Sequence, residues 1–154
     1  YATGFSIKWP NDIYWHDKKI AGILIENVLS GSTFSRAIIG MGLNINQKNF
    51  YSDAPNPVSL HQITGHTYKI EKILDEFTEA LGKRYTDTFT NSSDRIHKEY
   101  IAALYRNDGV YPFYSDGNIF HASIADVELD GHLLLLTESG EKKRFAFKEV
   151  SFLL

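Results

Sequence analysis

The apolar period of this chain changes twice, and that order constrains the fold more than any single residue does. From Phe5 to Asn46, β-branched and aromatic residues stand in short runs bounded by Pro10-Asn11-Asp12, His16-Asp17 and Ser30-Gly31-Ser32, which predicts an antiparallel meander. Residues 18–28 (KKIAGILIENV) and 36–46 (RAIIGMGLNIN) are its best strands, each carrying glycine. A loop follows over 47–58, where Pro55 and Pro57 frame Asn56; then Ser59 and Gln62 form the reciprocal pattern of a helix N-terminus and Gly65 the stop. Ile70, Ile73, Leu74, Phe77, Leu81 and Tyr85 recur at three- and four-residue steps, predicting an amphipathic helix that packs its stripe on the sheet. A second helix is predicted from Ser92-Ser93-Asp94 through Ile96, Tyr100 and Leu104 to Arg106, stopped by Asn107-Asp108-Gly109. After Tyr111 the period returns to two, with Asp116-Gly117, Asp130-Gly131 and Ser139-Gly140 suited to tight hairpins, at the spacing of a small barrel. The expected organisation is α+β, with residues 1–107 as one domain and 108–154 as a small β barrel.

Of 154 residues, 43% are hydrophobic and 23% charged, so the chain can bury a core and is not disordered. No apolar run approaches the roughly 20 residues needed to cross a bilayer, and no basic-then-apolar leader stands at the front, so no membrane is expected. The absence of cysteine excludes disulfides, thiolate nucleophiles and cysteine-ligated zinc, and a cytoplasmic location is expected. Sixteen Lys and Arg against nineteen Asp and Glu leave a net charge of −3 with no basic stripe, so nucleic acid is not an expected partner of these residues. The six histidines lack ligand spacing on one helix, and Asp126, Glu128 and Asp130 alternate with apolar residues as a solvated strand face does. Tyr1 comes first and a strand begins within four residues, so the chain is expected to be a piece of a longer protein.

Chemistry concentrates at Lys8-Trp9-Pro10-Asn11-Asp12. Pro10 pushes Trp9 toward extended geometry, so a cation, an indole, an amide and a carboxylate surround a rigid corner at a strand end. Lys8 is a point charge suited to phosphate, and Asp12 could hold magnesium or accept a proton. Each also has a plain structural reading: Asn11-Asp12 as a turn, Trp9 as core, and Lys19 as a solvated strand-end lysine. Alternation along 38–46 puts Ile38, Gly40, Gly42, Asn44 and Asn46 on one face and Ile39, Met41, Leu43 and Ile45 on the other. The missing side chains would let a flat ring approach the backbone, with Asn44 beside it as donor and acceptor; a bulge or barrel bend is the other reading, and Gly22 carries the same two.

The order KWPND, then Lys19 in KKIAGILIE, then GMGLNIN, resembles the central and C-terminal portion of biotin protein ligase, also called biotin-[acetyl-CoA-carboxylase] ligase, over essentially the whole chain. The resemblance implies a catalytic core of the kind shared with class II aminoacyl-tRNA synthetases, followed by a barrel of the Src-homology-3 type (an SH3-like barrel). It implies ATP, Mg2+ and biotin as ligands, biotinyl-5'-adenylate formation, and transfer of biotin to a lysine of a biotin carboxyl carrier protein domain. Carried over by position, Lys8, Asp12 and Lys19 are the catalytic residues: Lys8 faces phosphate, and Lys19 contacts the biotinyl carbonyl region of the adenylate. Trp9, Asn11, Gly22, Gly42 and Asn44 are the nucleotide and adenylate residues, and Asp12 is the metal ligand.

The glycine- and arginine-rich loop of this family, and its serine, threonine and glutamine biotin-binding positions, are not found around the five arginines here. The resemblance therefore implies a fragment, lacking the first part of the catalytic domain, that holds about half of the active site and is inactive alone. Two rows of apolar strand residues could support edge-to-edge homodimers, as in some relatives. Lipoate-protein ligase shares the fold and the adenylation chemistry and is one rival; a non-catalytic carrier-binding module is the other.

Overall fold

The computed structural model describes residues 1–31, 33–51, 55–90 and 93–153. Two compact units divide it, Tyr1–Asn91 and Ser92–Leu154.

In the first unit, β1 (Phe5–Lys8), β2 (Asp12–Trp15), β3 (Lys18–Ser30) and β4 (Thr33–Leu43) form an antiparallel sheet in sequence order. This is the predicted meander, and its turns fall at the predicted residues: His16 takes φ +49° between β2 and β3, and Gly31 takes φ +63° between β3 and β4. Ser32, named in that last turn signal, lies outside the described residues. β4 stops at Leu43, so Asn44 and Asn46 follow the strand rather than ending it. Asn46 instead brackets the backbone of Tyr68, donating to its carbonyl at 2.8 Å and accepting from its N–H at 2.9 Å.

One face of the sheet carries Ile7, Ile13, Ala21 and Leu43 in a cross-strand row, since directly paired residues share a face. Ile13, Ala21 and Leu43 join a core with Ile20, Ile45, Val58, Leu60 and Ile73. The short helix α1 (Leu60–Thr64) begins where the capping pattern placed it. Ser59 accepts from the Gln62 N–H at 3.1 Å, the Gln62 side chain accepts from the Ser59 N–H, and Gly65 ends the turn at φ +75°. The Ser59 hydroxyl, fully buried, donates to the Gln47 carbonyl at 2.5 Å, which ties the 47–58 loop to the helix.

The periodic stripe forms α2 (Ile70–Thr90), but only Ile73 enters the core. Ile70, Leu74, Phe77, Leu81 and Tyr85 are exposed, which corrects the expectation that the whole stripe packs on the sheet. A helix of 21 residues spans about 30 Å at 1.5 Å per residue, so it runs past the small cluster that receives its first turn.

In the second unit, α3 (Ser93–Ala102) ends four residues before the predicted Arg106, because the Asn107 side chain donates to the carbonyls of Ile101 and Ala102 at 2.9 and 2.8 Å. Ser92, part of the predicted cap, lies outside the described residues. The expected domain boundary at Asp108 falls after α3, whereas the division into units falls before it. α3 and its C-terminal turn make contacts within the second unit: His97 Nε2 meets Asp126 Oδ1 at 2.7 Å, and Arg106 donates to the Leu153 carbonyl at 2.5 Å.

β5 (Tyr111–Ser115), β6 (Asn118–Val127), β7 (Leu133–Thr137), β8 (Lys142–Phe145) and β9 (Ser151–Phe152) form an antiparallel sheet in the order β8-β7-β6-β5-β9. Phe113, Ala122, Leu133 and Leu135 are fully buried apolar side chains on its strands. The three predicted glycine turns join its strands, with φ +81° at Gly117, +90° at Gly131 and +83° at Gly140. β8 and β9 stand at opposite edges, so the described pairings do not close the expected barrel.

Candidate functional site

The second face of the first sheet gathers most of the candidate residues. Lys8 pairs with Asp12, Asp12 with Gly22, and Gly22 with Gly42, which makes one row across all four strands. Paired residues share a face, so two charged groups stand at one end of the row and two bare backbone positions at the other. Regular alternation would put Lys19, three residues before Gly22, on the core face. A bulge prevents that: Ile13 pairs with Ala21 but Tyr14 with Lys19, so Ile20 is the extra residue and Lys19 turns to the side of Asp12. The Lys19 ammonium lies 2.6 Å from Asp12 Oδ1, with both side chains partly exposed.

The 47–58 loop holds this arrangement from the β3 side. Lys19 N–H donates to the Asn56 carbonyl at 2.9 Å, and the Lys19 carbonyl accepts from Val58 N–H at 2.9 Å. Asn56 adopts φ +48°, a left-handed conformation asparagine tolerates better than most residues, and here it turns the chain between its two prolines. None of this is visible in residue spacing.

Asn11 stitches the corner to β3: its side chain donates to the Ile23 carbonyl at 2.7 Å, and its carbonyl accepts from Ile23 N–H at 2.8 Å. Trp9, joined to Pro10 by a cis peptide bond, is 4% exposed, so its indole belongs to the core that anchors the corner. Burial of Trp9 and the bonds of Asn11 to β3 hold the corner in place. Asn44 is fixed by its backbone, donating to Ile20 and accepting from Leu60, and among the described residues nothing bonds its side-chain amide.

The two glycines of the row serve different ends. A Cβ on Gly42 would meet nothing within 4 Å, so the space in front of it is open. On Gly22 it would sit 3.2 Å from Asp12 Oδ1 and 3.3 Å from Lys19 Cε and Nζ, so this glycine makes room for the ion pair. Gly22→Ala is expected to push the Asp12–Lys19 pair apart at a cost of about 1 kcal/mol. Urea denaturation checks the cost, and an alanine variant as stable as the parent would contradict the reading.

Tyr14, which the motif alone did not single out, belongs to this face. It is 2% exposed, with the Lys8 ammonium 5.3 Å from its ring centre. Burial, and then the negative charge of Asp12, push its hydroxyl above the usual tyrosine pKa. In the second unit, Glu128, Asp130 and His132 come together around the Arg144 guanidinium, which donates to both carboxylates. Hydrogen bonds from His132, with the charge of Arg144, hold the Asp130 carboxyl below its ordinary range. The guanidinium bonds both carboxylates and offsets one of their two charges, which makes the group a surface ion-pair network.

Residues 3–44 match the model of the Biotin/lipoate A/B protein ligase family. The bifunctional ligase/repressor BirA of Bacillus subtilis is 30% identical over 146 residues, 91% of this chain and 44% of its own length. A biotin–[acetyl-CoA-carboxylase] ligase of Paracoccus denitrificans is 30% identical over 109 residues, 68% of this chain and 45% of its own. The apo structure of biotin protein ligase from Aquifex aeolicus superposes with a TM-score of 0.72 at 24% identity, covering 97% of this chain and 65% of that one. The chain thus spans less than half the length of these curated relatives, and the likeness to the solved structure shows the fold. The chain belongs to the biotin/lipoate A/B protein ligase family, with the sequence and the α+β fold of the C-terminal region of a biotin protein ligase.

Proposed function

We propose that the longer protein carrying this chain is an ATP-dependent biotin protein ligase, and that this chain supplies about half of its active site and does not complete catalysis alone. The observation that supports the reading most is the Lys8–Asp12–Gly22–Gly42 row with Lys19 turned onto Asp12. A biotin carboxylate oxygen would attack the α-phosphorus of ATP, and the bond to the bridging oxygen would break to release pyrophosphate. Lys8 would bind the phosphates and offset their charge, as a fixed cation does most effectively where charge develops. Lys19 would lie against the biotinyl carbonyl and stabilise the oxyanion formed when a carrier lysine amine attacks the acyl carbon and AMP leaves. The open backbone at Gly42 and the amide of Asn44 would receive the adenylate, while Trp9, Asn11 and Gly22 keep the corner and the ion pair in place.

The donor chemistry at Asp12 fits magnesium, which takes one or two carboxylates together with phosphate oxygens. When bound, the ion would screen phosphate charge and orient the α-phosphate. The expected partners are the biotin carboxyl carrier protein domain and, at the exposed β4 edge, a second copy of the protein. The five-stranded sheet of the second unit would take the part of the family's small barrel in positioning the carrier. Among the described residues, no helix is long and apolar enough to cross a membrane.

Binding of non-hydrolysable adenylate analogues to the chain extended to its natural start tests the substrate. Tighter binding of the biotinyl than of the lipoyl analogue is expected; the reverse order would assign the protein to lipoate.

A further inference from the structure

We propose that Tyr14 positions Lys8 for the nucleotide phosphates, an inference that rests on the phosphate-facing reading of Lys8 given above. Tyr14 follows Asp12 by two residues and so shares its face, and it pairs with Ser6 on β1 and with Lys19 on β3. Lys8 follows Ser6 by two residues on that same face, which brings its stem past the ring. The ammonium nitrogen lies 5.3 Å from the ring centre, inside the roughly 6 Å over which an aromatic face attracts a cation. Almost no part of Tyr14 reaches solvent, so the ring is itself immobile.

A lysine stem is long and flexible, and ordering it on each binding event weakens the contact it makes. A carboxylate would order the ammonium but cancel its charge. A ring face orders it through the aromatic quadrupole and itself adds no compensating negative charge. The ring is thus a hold of a different kind from the one Asp12 gives Lys19.

The test uses the natural full-length protein and biotin-dependent exchange between ATP and pyrophosphate. Tyr14 is replaced by Phe, by Leu, and by ring-fluorinated Phe, which keeps the shape of the ring while weakening its negative face. Each is made with and without Lys8→Met. Fluorination is expected to raise KM for ATP a few-fold to about 30-fold over the Phe variant. The change in kcat should be smaller, and the effect should vanish in the Lys8→Met background. Because the fluorinated ring retains the packing, this comparison stands even where Tyr14→Leu does not fold. Equal KM values for plain and fluorinated rings, with Lys8→Met still impairing ATP use, would overturn the positioning role alone. An unchanged KM and kcat in Lys8→Met itself would overturn the role of Lys8 and this proposal with it.

Discussion

Lys8→Met in the natural full-length protein is expected to lower kcat/KM for ATP by about 100- to 1000-fold, the usual cost of deleting one fixed group that stabilises developing charge. Methionine keeps the length and the apolar stem, so the loss isolates the ammonium. The substitution lies at the end of β1, beside a corner held by Trp9 and by the Asn11–Ile23 hydrogen bonds. Adenylation kinetics read the effect, with biotin affinity as the control. A loss below about threefold would remove Lys8 from the phosphate site.

Trp9→Ala is the second large effect, and it acts on stability. The indole is 4% exposed and lies between the charged strand end and the stitched turn. Truncating a buried aromatic of this size leaves a cavity that costs about 3–5 kcal/mol. Chemical denaturation of the full-length protein would show the shift, and activity should fall with it because Lys8 and Asp12 flank the corner. A variant that kept its stability but lost ATP affinity would instead restore Trp9 as a platform for the nucleotide.

The meander from Phe5 to Leu43 was readable in the sequence because its turn residues are local signals: Pro10-Asn11, His16-Asp17 and Gly31 each act on their own backbone. The same holds for Ser59, Gln62 and Gly65 around α1, and for the three glycine hairpins of the second sheet. What depended on distant partners was not readable. The stripe from Ile70 to Tyr85 announces a helix, yet period alone does not say what the stripe meets, and only Ile73 reaches the core. The end of α3 was misplaced because the group that caps it, Asn107, acts across five and six residues. Barrel closure would require the edge strands β8 and β9 to pair, which no spacing of turns dictates.

The candidate site divides along the same line. The identities of Lys8, Asp12 and Lys19 were legible from the motif, and alternation put Gly42 on an open face. That Lys19 reaches Asp12 depends on a single extra residue, Ile20, whose bulge reverses the side on which Lys19 lies. Gly22 reads in the sequence either as an approach point for a ring or as a bend, and its room for the ion pair depends on Asp12 and Lys19 meeting there; Tyr14 joins the site only through the Lys8 ammonium over its ring. The cluster around Arg144 is not legible in the sequence because a solvated acidic alternation and an ion-pair network share one pattern until the strand carrying the arginine is placed beside it.

The most direct test of the central claim is the mass of a purified biotin carrier domain after incubation with biotin and Mg-ATP, with either this chain or the chain extended to its natural start. A biotin-sized increment with the extended chain only is predicted. No increment with the extended chain would contradict the biotin ligase reading, and an increment with this chain alone would contradict the claim that it holds half of the site.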